Sequence, residues 1–230
     1  TLIKILAGVH TDFGGTIEID GRRARPGSPL EANRLGVAVI YQELSLVPSM
    51  SVADNIFLGR LLTTAGMVKD RTQTVRAQQL LHQLGVDVDV RRFVEELPIG
   101  TQQLVEIAKA LSYDARVIVM DEPTSALSAP EADRLFVLIE DLKSRGCGIV
   151  YITHKMEEIQ RIGDRVTVLR DGRLVGSALA SELSPGKLVH WMVGRDVDQQ
   201  FPRHLPQIGE ERLRVEDLTV RADGPGGKPA

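Results

Sequence analysis

A chain of 230 residues with 43% apolar content and a formal charge of −3 holds enough material for one domain with a sizeable core, or one domain plus part of another. The charge balance excludes a strongly basic surface for nucleic acid or anionic lipid. The single cysteine, Cys147, excludes an internal disulfide framework, and no apolar run approaches the ~18 residues of a membrane-spanning helix. The chain begins at Thr1, inside a helical pattern and with no signal-like start, so it reads as a fragment whose N-terminal part is missing.

Along the chain, Leu2, Ile5 and Leu6 fall at helical spacing and Gly8 marks a stop. Residues 16–20 alternate as a short strand, and residues 22–30, basic and rich in Pro and Gly, read as a loop with Arg22, Arg23 and Arg25 in solvent. Residues 31–35 suit a short helix, and 37–41 an apolar strand with Gln42 just past its end. A helix capped by Ser51 or Asp54 follows. Residues 55–112 contain no convincing strand and read as an all-helical insert, with helices over 72–84 and from about Thr101, the latter presenting Leu104, Ile107, Ala108 and Leu111 on one face.

Val117, Ile118, Val119 and Met120 form an unbroken apolar run, the pattern of a strand buried on both faces, and Asp121 and Glu122 follow it at once. Adjacent carboxylates at such a strand end are costly to bury without a partner, and the strand ends of α/β sheets are where ligands bind. A helix over 130–145, a second buried strand over 148–153 ending at His154, a short helix over 156–162, a hairpin around Asp171 and Gly172, and a helix over 187–193 complete the pattern. The alternation predicts an α/β fold with a largely parallel sheet. Trp191, Phe201 and Cys147 read as packing residues.

Gln42, Asp121 with Glu122, and His154 each directly follow an apolar strand. Together with Leu97-Pro-Ile-Gly-Thr-Gln-Gln103 and the helix after it, and with Ser125-Ala-Leu-Ser128, this order resembles the ATP-binding-cassette ATPases over nearly all of residues 1–195. The resemblance implies a P-loop NTPase-type α/β fold with an inserted helical subdomain at about 55–112. Leu97, Pro98, Ile99, Gly100, Thr101 and Gln102 correspond to the signature loop, which serves the nucleotide on an opposite cassette. Ser125, Ala126, Leu127 and Ser128 correspond to the D-loop. The resemblance gives Asp121 and Gln42 to Mg²⁺, Glu122 to activation of water, His154 to the γ-phosphate and Thr1 to a phosphate of ATP. The phosphate loop itself would lie upstream of Thr1, so residues 1–230 alone are expected to be inactive.

Tyr41-Gln-Glu-Leu-Ser-Leu-Val-Pro48, Val105-Glu-Ile-Ala-Lys109, Gly148-Ile-Val-Tyr-Ile-Thr-His154 and Met192-Val-Gly-Arg195 narrow the resemblance to the first half of bacterial sugar-import ATPases. That implies an ATP hydrolase on the cytoplasmic face of the inner membrane, with permease subunits, a periplasmic or surface sugar-binding protein, and no nucleic acid. It also implies a linker over 196–212 and the start of a second cassette in the same chain over 213–230, with a strand beginning at Leu213. A ribosome-associated or DNA-repair ATPase is the alternative, but the basic linkers or long coiled coils expected of those are missing. The sequence departs from the family pattern at Pro98 and Ile99, where Ser and Gly are usual, and at Ser128, where Asp is common. Pro98 lacks both a hydroxyl and an N–H, which predicts an asymmetric pair of nucleotide sites.

Overall fold

The computed structural model describes residues 1–60, 63–64, 67–68, 70–113, 115–194 and 212–216. The chain divides into two units, Thr1–Thr167 with Ser177–Leu183, and Val168–Gly176 with Ser184–Ala230.

Helix α1 (Leu2–Leu6) ends at Gly8, whose φ of +69° is open to glycine without a Cβ penalty. A Cβ there would lie 2.5 Å from the Ser28 carbonyl oxygen. Leu2 is exposed, and it is Ile3 and Leu6 that reach a core cluster. Strand β1 (Ile17–Ile19) pairs antiparallel with β2 (Arg22–Ala24), so part of the expected basic loop is a strand. The cause is local: Asp20 and Gly21 both hold positive φ, the geometry of a two-residue hairpin turn. Arg22 and Arg23 remain exposed, and Arg25 stacks on Phe13 at 4.8 Å.

Ser28 accepts the Glu31 N–H and caps α2 (Pro29–Arg34), which leads into β3 (Val37–Ile40). Ser51 caps α3 (Val52–Ile56) through the Asp54 N–H at 3.1 Å. The segment expected to be all-helical holds a small antiparallel ribbon, β4 (Thr63–Thr64) with β5 (Met67–Val68). Two-residue strands are too short for alternation to be read in a sequence. Helices α4 (Asp70–Gln83) and α5 (Ile99–Leu111), strand β6 (Val117–Asp121), helix α6 (Ala129–Ser144), strand β7 (Gly148–Ile152) and helix α7 (Met156–Ile162) follow.

β6 lies between β3 and β7, parallel to both. Its two faces bury different partners, as the period of two requires. Ile118 and Met120, with Ala38 and Ile40 of β3, join the large cluster formed with α3, α4, α5 and α6. Val119, with Val37, joins a smaller cluster that takes Ile3, Leu6 and Ala32. Val119 and Met120 are fully buried, as the unbroken run predicts. β7 departs from its expected burial: Val150 is 39% exposed on the second face.

α5 is buried on more than its expected face, because Gln103, Val105 and Glu106 are enclosed along with Leu104, Ile107 and Ala108. Buried Asn55 fixes the loop before α3: it accepts from the Val47 N–H at 2.7 Å and donates to the carbonyls of Val47 and Ser51 at 3.0 Å each. Cys147 is half-buried against the Ala115 carbonyl.

Strands β8 (Arg165–Arg170) and β9 (Arg173–Leu179) pair around Asp171 and Gly172, both with positive φ, as the sequence predicts. In the second unit, Ser184 caps α8 (Pro185–Val193). Trp191 is a packing residue there: a Cβ on Gly176 would lie 2.6 Å from its ring. The segment 195–211, with Phe201, lies outside the described residues. Residues 212–216 are exposed and not in a strand, and the rest of the segment expected to begin a strand at Leu213 lies outside the described residues. Residues 217–230 also lie outside the described set.

Candidate active site

Asp121 closes β6, in register with Ile152 of β7. At Glu122 the chain leaves the sheet with φ +45°, a left-handed conformation that residues with a Cβ seldom adopt. The Glu122 N–H still donates to the Ile152 carbonyl at 3.0 Å, so the turn is pinned to β7. Its carboxylate reaches the loop after β7, where His154 Nδ1 lies 2.9 Å from Glu122 Oε1. The pair lines a cleft of about 220 Å³ with Thr124, Ser125, Thr153 and Lys155. The side chains are 28% exposed for Glu122 and 67% for His154, so both are open to a ligand.

Burial and, second, the neighbouring Glu122 charge push the Asp121 carboxyl up. Thr1 is the N-cap of α1 and makes no side-chain cap bond. Among the described residues no basic side chain pairs with Asp121. A half-buried carboxylate beside a second one, both hard oxygen donors, fits a divalent cation such as Mg²⁺.

Gln42 is exposed, two residues past Ile40, which pairs with Met120. It therefore leaves the same end of the sheet as Asp121 and Glu122. The Ser125 N–H donates to the Glu122 carbonyl at 3.1 Å, and the Leu127 N–H to the Thr124 carbonyl at 3.3 Å. Ala126 follows in this turn. Ser128, the N-cap of α6, gives both its N–H and its hydroxyl to Glu131, at 2.8 and 2.6 Å. These bonds hold the Glu131 carboxyl below its ordinary value.

The segment from Leu97 to Gln102 does not line the cleft. Leu97 is buried, Ile99 is exposed, and Pro98 is the N-cap of α5 without a side-chain cap bond. Gln102 donates to the Leu97 carbonyl at 2.9 Å. Thr101 lies in the first turn of α5. Gly100 packs against the turn after β6: a Cβ there would lie 3.0 Å from the Ala126 carbonyl oxygen.

Sequence reading missed the residues that hold these loops. Glu158 of α7 is 6% exposed and accepts from Thr124 Oγ1 at 2.5 Å, Thr153 Oγ1 at 2.7 Å and the Tyr151 hydroxyl at 3.0 Å. Lys155 Nζ lies 3.2 Å from the same carboxylate and donates to Thr124 Oγ1 at 3.0 Å. Burial raises the Glu158 carboxyl, but these donors outweigh it and the net shift is downward. Burial and the Glu158 charge push the Tyr151 hydroxyl up. Glu106 of α5, also buried, accepts from Ser45 Oγ at 2.6 Å. The available signal was a threonine next to each motif, Thr124 after Glu122 and Thr153 before His154. A first-turn glutamate reads as an ordinary helix-dipole partner.

A profile of the ABC transporter family matches residues 1–125. The chain is 49% identical over 219 residues to the ribose import ATP-binding protein RbsA 2 of Streptomyces coelicolor, covering 95% of this chain and 42% of that protein. It is 45% identical over 223 residues to the ribose import ATP-binding protein RbsA of Geobacillus kaustophilus, covering 96% and 45%. It therefore spans less than half the length of these curated relatives. Among solved structures, the cassette MJ0796 bound to ADP and Pi superposes with a TM-score of 0.68 at 21% identity, covering 78% of this chain and 79% of that one. The cassette MJ1267 gives 0.71 at 22% identity, covering 84% and 81%. The α/β fold expected from the sequence is thus the fold of ATP-binding cassettes, and with more than half of its length matched by the family profile, the chain belongs to the ABC transporter family.

Proposed function

We propose that the full-length protein is the ATP-hydrolysing subunit of a bacterial sugar importer. Hydrolysis rests on one observation, the 2.9 Å contact of Glu122 with His154 in a cleft beside Asp121. Asp121, with Gln42 from the neighbouring loop, would hold Mg²⁺, which supplies charge neutralisation for the transferred phosphoryl group. Glu122 has Oε1 engaged by His154 and Oε2 left to accept a proton from the attacking water. For His154 to donate to Glu122 through Nδ1 and to a phosphate through Nε2, its ring must carry both protons. Thr1 would meet a phosphate at the start of α1. Phosphoryl transfer depends on such positioning and charge complementarity more than on covalent chemistry.

The sugar reading is supported by the relatives named for ribose import. In it, residues 1–195 form the first cassette, with its helical subdomain at about 55–112. Residues 196–212 link it to a second cassette beginning at 213. The protein docks on permease subunits at the cytoplasmic face, and those subunits receive sugar captured by a periplasmic or surface binding protein. The signature segment, with Pro98 at its cap and Ile99 exposed, would serve the second cassette's nucleotide weakly, giving one competent site per pair. The test is uptake of labelled ribose by cells lacking the gene. Restoration by the wild-type gene, and failure of restoration by Glu122→Gln, is expected. Unchanged uptake of every pentose and hexose tested in the deleted strain would refute the transport role.

A further inference from the structure

We propose that Glu158 is the positioning residue that sets the spacing of Glu122 and His154, an inference that rests on the hydrolytic reading above. Its two carboxylate oxygens tie the two loops of the site to one helix. Oε1 receives Thr124, two residues past Glu122, at 2.5 Å, with Lys155 at 3.2 Å. Oε2 receives Thr153, one residue before His154, at 2.7 Å, and Tyr151 of β7 at 3.0 Å. The Thr153 hydroxyl in turn accepts the Lys155 N–H at 3.0 Å, closing the His154 turn. Each of these groups donates to the carboxylate, so the site requires an acceptor-only group, which among side chains is an ionised Asp or Glu. An apolar residue would suffice to seat α7 on the sheet. A buried carboxylate with both oxygens saturated by the residues flanking the reacting pair does something more specific.

Glu158→Gln tests this with almost no change of volume. The amide nitrogen then faces hydroxyl and ammonium donors, and one loop loses its anchor. In the full-length protein with Mg²⁺, kcat for ATP is expected to fall about 10- to 100-fold, the scale of a catalytic group displaced by about an ångström. KM should stay within about 2-fold. In a His154→Ala background the same substitution should cost less than about 3-fold, since the spacing it protects no longer exists. Equal losses in both backgrounds would assign Glu158 to general stability and overturn the proposal. Tyr151→Phe, which removes a single donor, should lower kcat about 2- to 3-fold and guards against a Glu158→Gln protein that fails to fold. Independently of turnover, the ¹⁵N imidazole signals of His154 should move in Glu158→Gln, with Glu122→Gln as the reference for a lost contact, and unmoved signals in Glu158→Gln overturn it. A wild-type protein without ATP hydrolysis would refute the hydrolytic reading alone, because the imidazole signals still decide the position of His154.

Discussion

Glu122→Gln should switch off hydrolysis and at the same time stabilise the fold. Glu122 reaches the cleft through a strained turn at φ +45°, and its charge helps to push the Asp121 carboxyl up. The amide keeps the volume and the contact with His154 but accepts no proton from water. A general base contributes about 10²- to 10⁴-fold, so turnover should fall by at least about 100-fold, or roughly 2.7 kcal/mol of barrier. Removing the like charge relieves Asp121. Because the folded-state value of Asp121 lies above its ordinary one, its favourable contribution is present at low pH and is lost as pH rises through that value, leaving a burden at pH 7. Both groups are partly solvated, so relief is on the order of 0.5 kcal/mol, or about 1–2 °C in melting temperature for a domain of this size. Phosphate release and calorimetry on the full-length protein, without nucleotide, measure the two effects. Wild-type turnover would refute the role of Glu122, and a lower melting temperature would refute the repulsion argument.

Asn55→Ala removes a buried amide that satisfies the Val47 and Ser51 carbonyls and the Val47 N–H. Urea unfolding should show a loss of about 2–4 kcal/mol. Gly100→Ala places a Cβ 3.0 Å from the Ala126 carbonyl oxygen. Stability should fall by about 1–3 kcal/mol and turnover with it, since that carbonyl belongs to the turn after Glu122. The carboxyls of Glu131 and Glu158 lie below their ordinary 4.5, so their stabilising contribution is present above that value and is lost as pH falls below it. Melting curves from pH 7 to pH 3 should therefore show a steeper acid decline for wild type than for a Glu131→Gln, Glu158→Gln double variant.

The apolar run of residues 117–120 determined by itself that β6 would be central and buried on both faces, because period-two burial with no polar position leaves no face for water. The glycines and serines at helix ends were equally readable, since capping and positive φ are local chemistry: Ser51 and Gly8 act within a few residues of themselves. Strand β2 escaped notice although its turn to β1 is local, because three residues carrying Arg22 and Arg23 have no apolar face to announce a strand. The order of the motifs marked Asp121, Glu122 and His154 as candidates, yet the sequence does not bring them together. Glu122 and His154 are 32 positions apart, and they meet because β7 returns beside β6 after α6. Glu158 shows the same limit. Its donors come from the loop after β6, from β7 and from the loop after β7, and only the parallel register of the two strands stacks those loops above one helix. Local periodicity decides which elements form. Which side chains share a cleft depends on strand order, and strand order is settled by how the faces of β6 bury against helices distant in the chain.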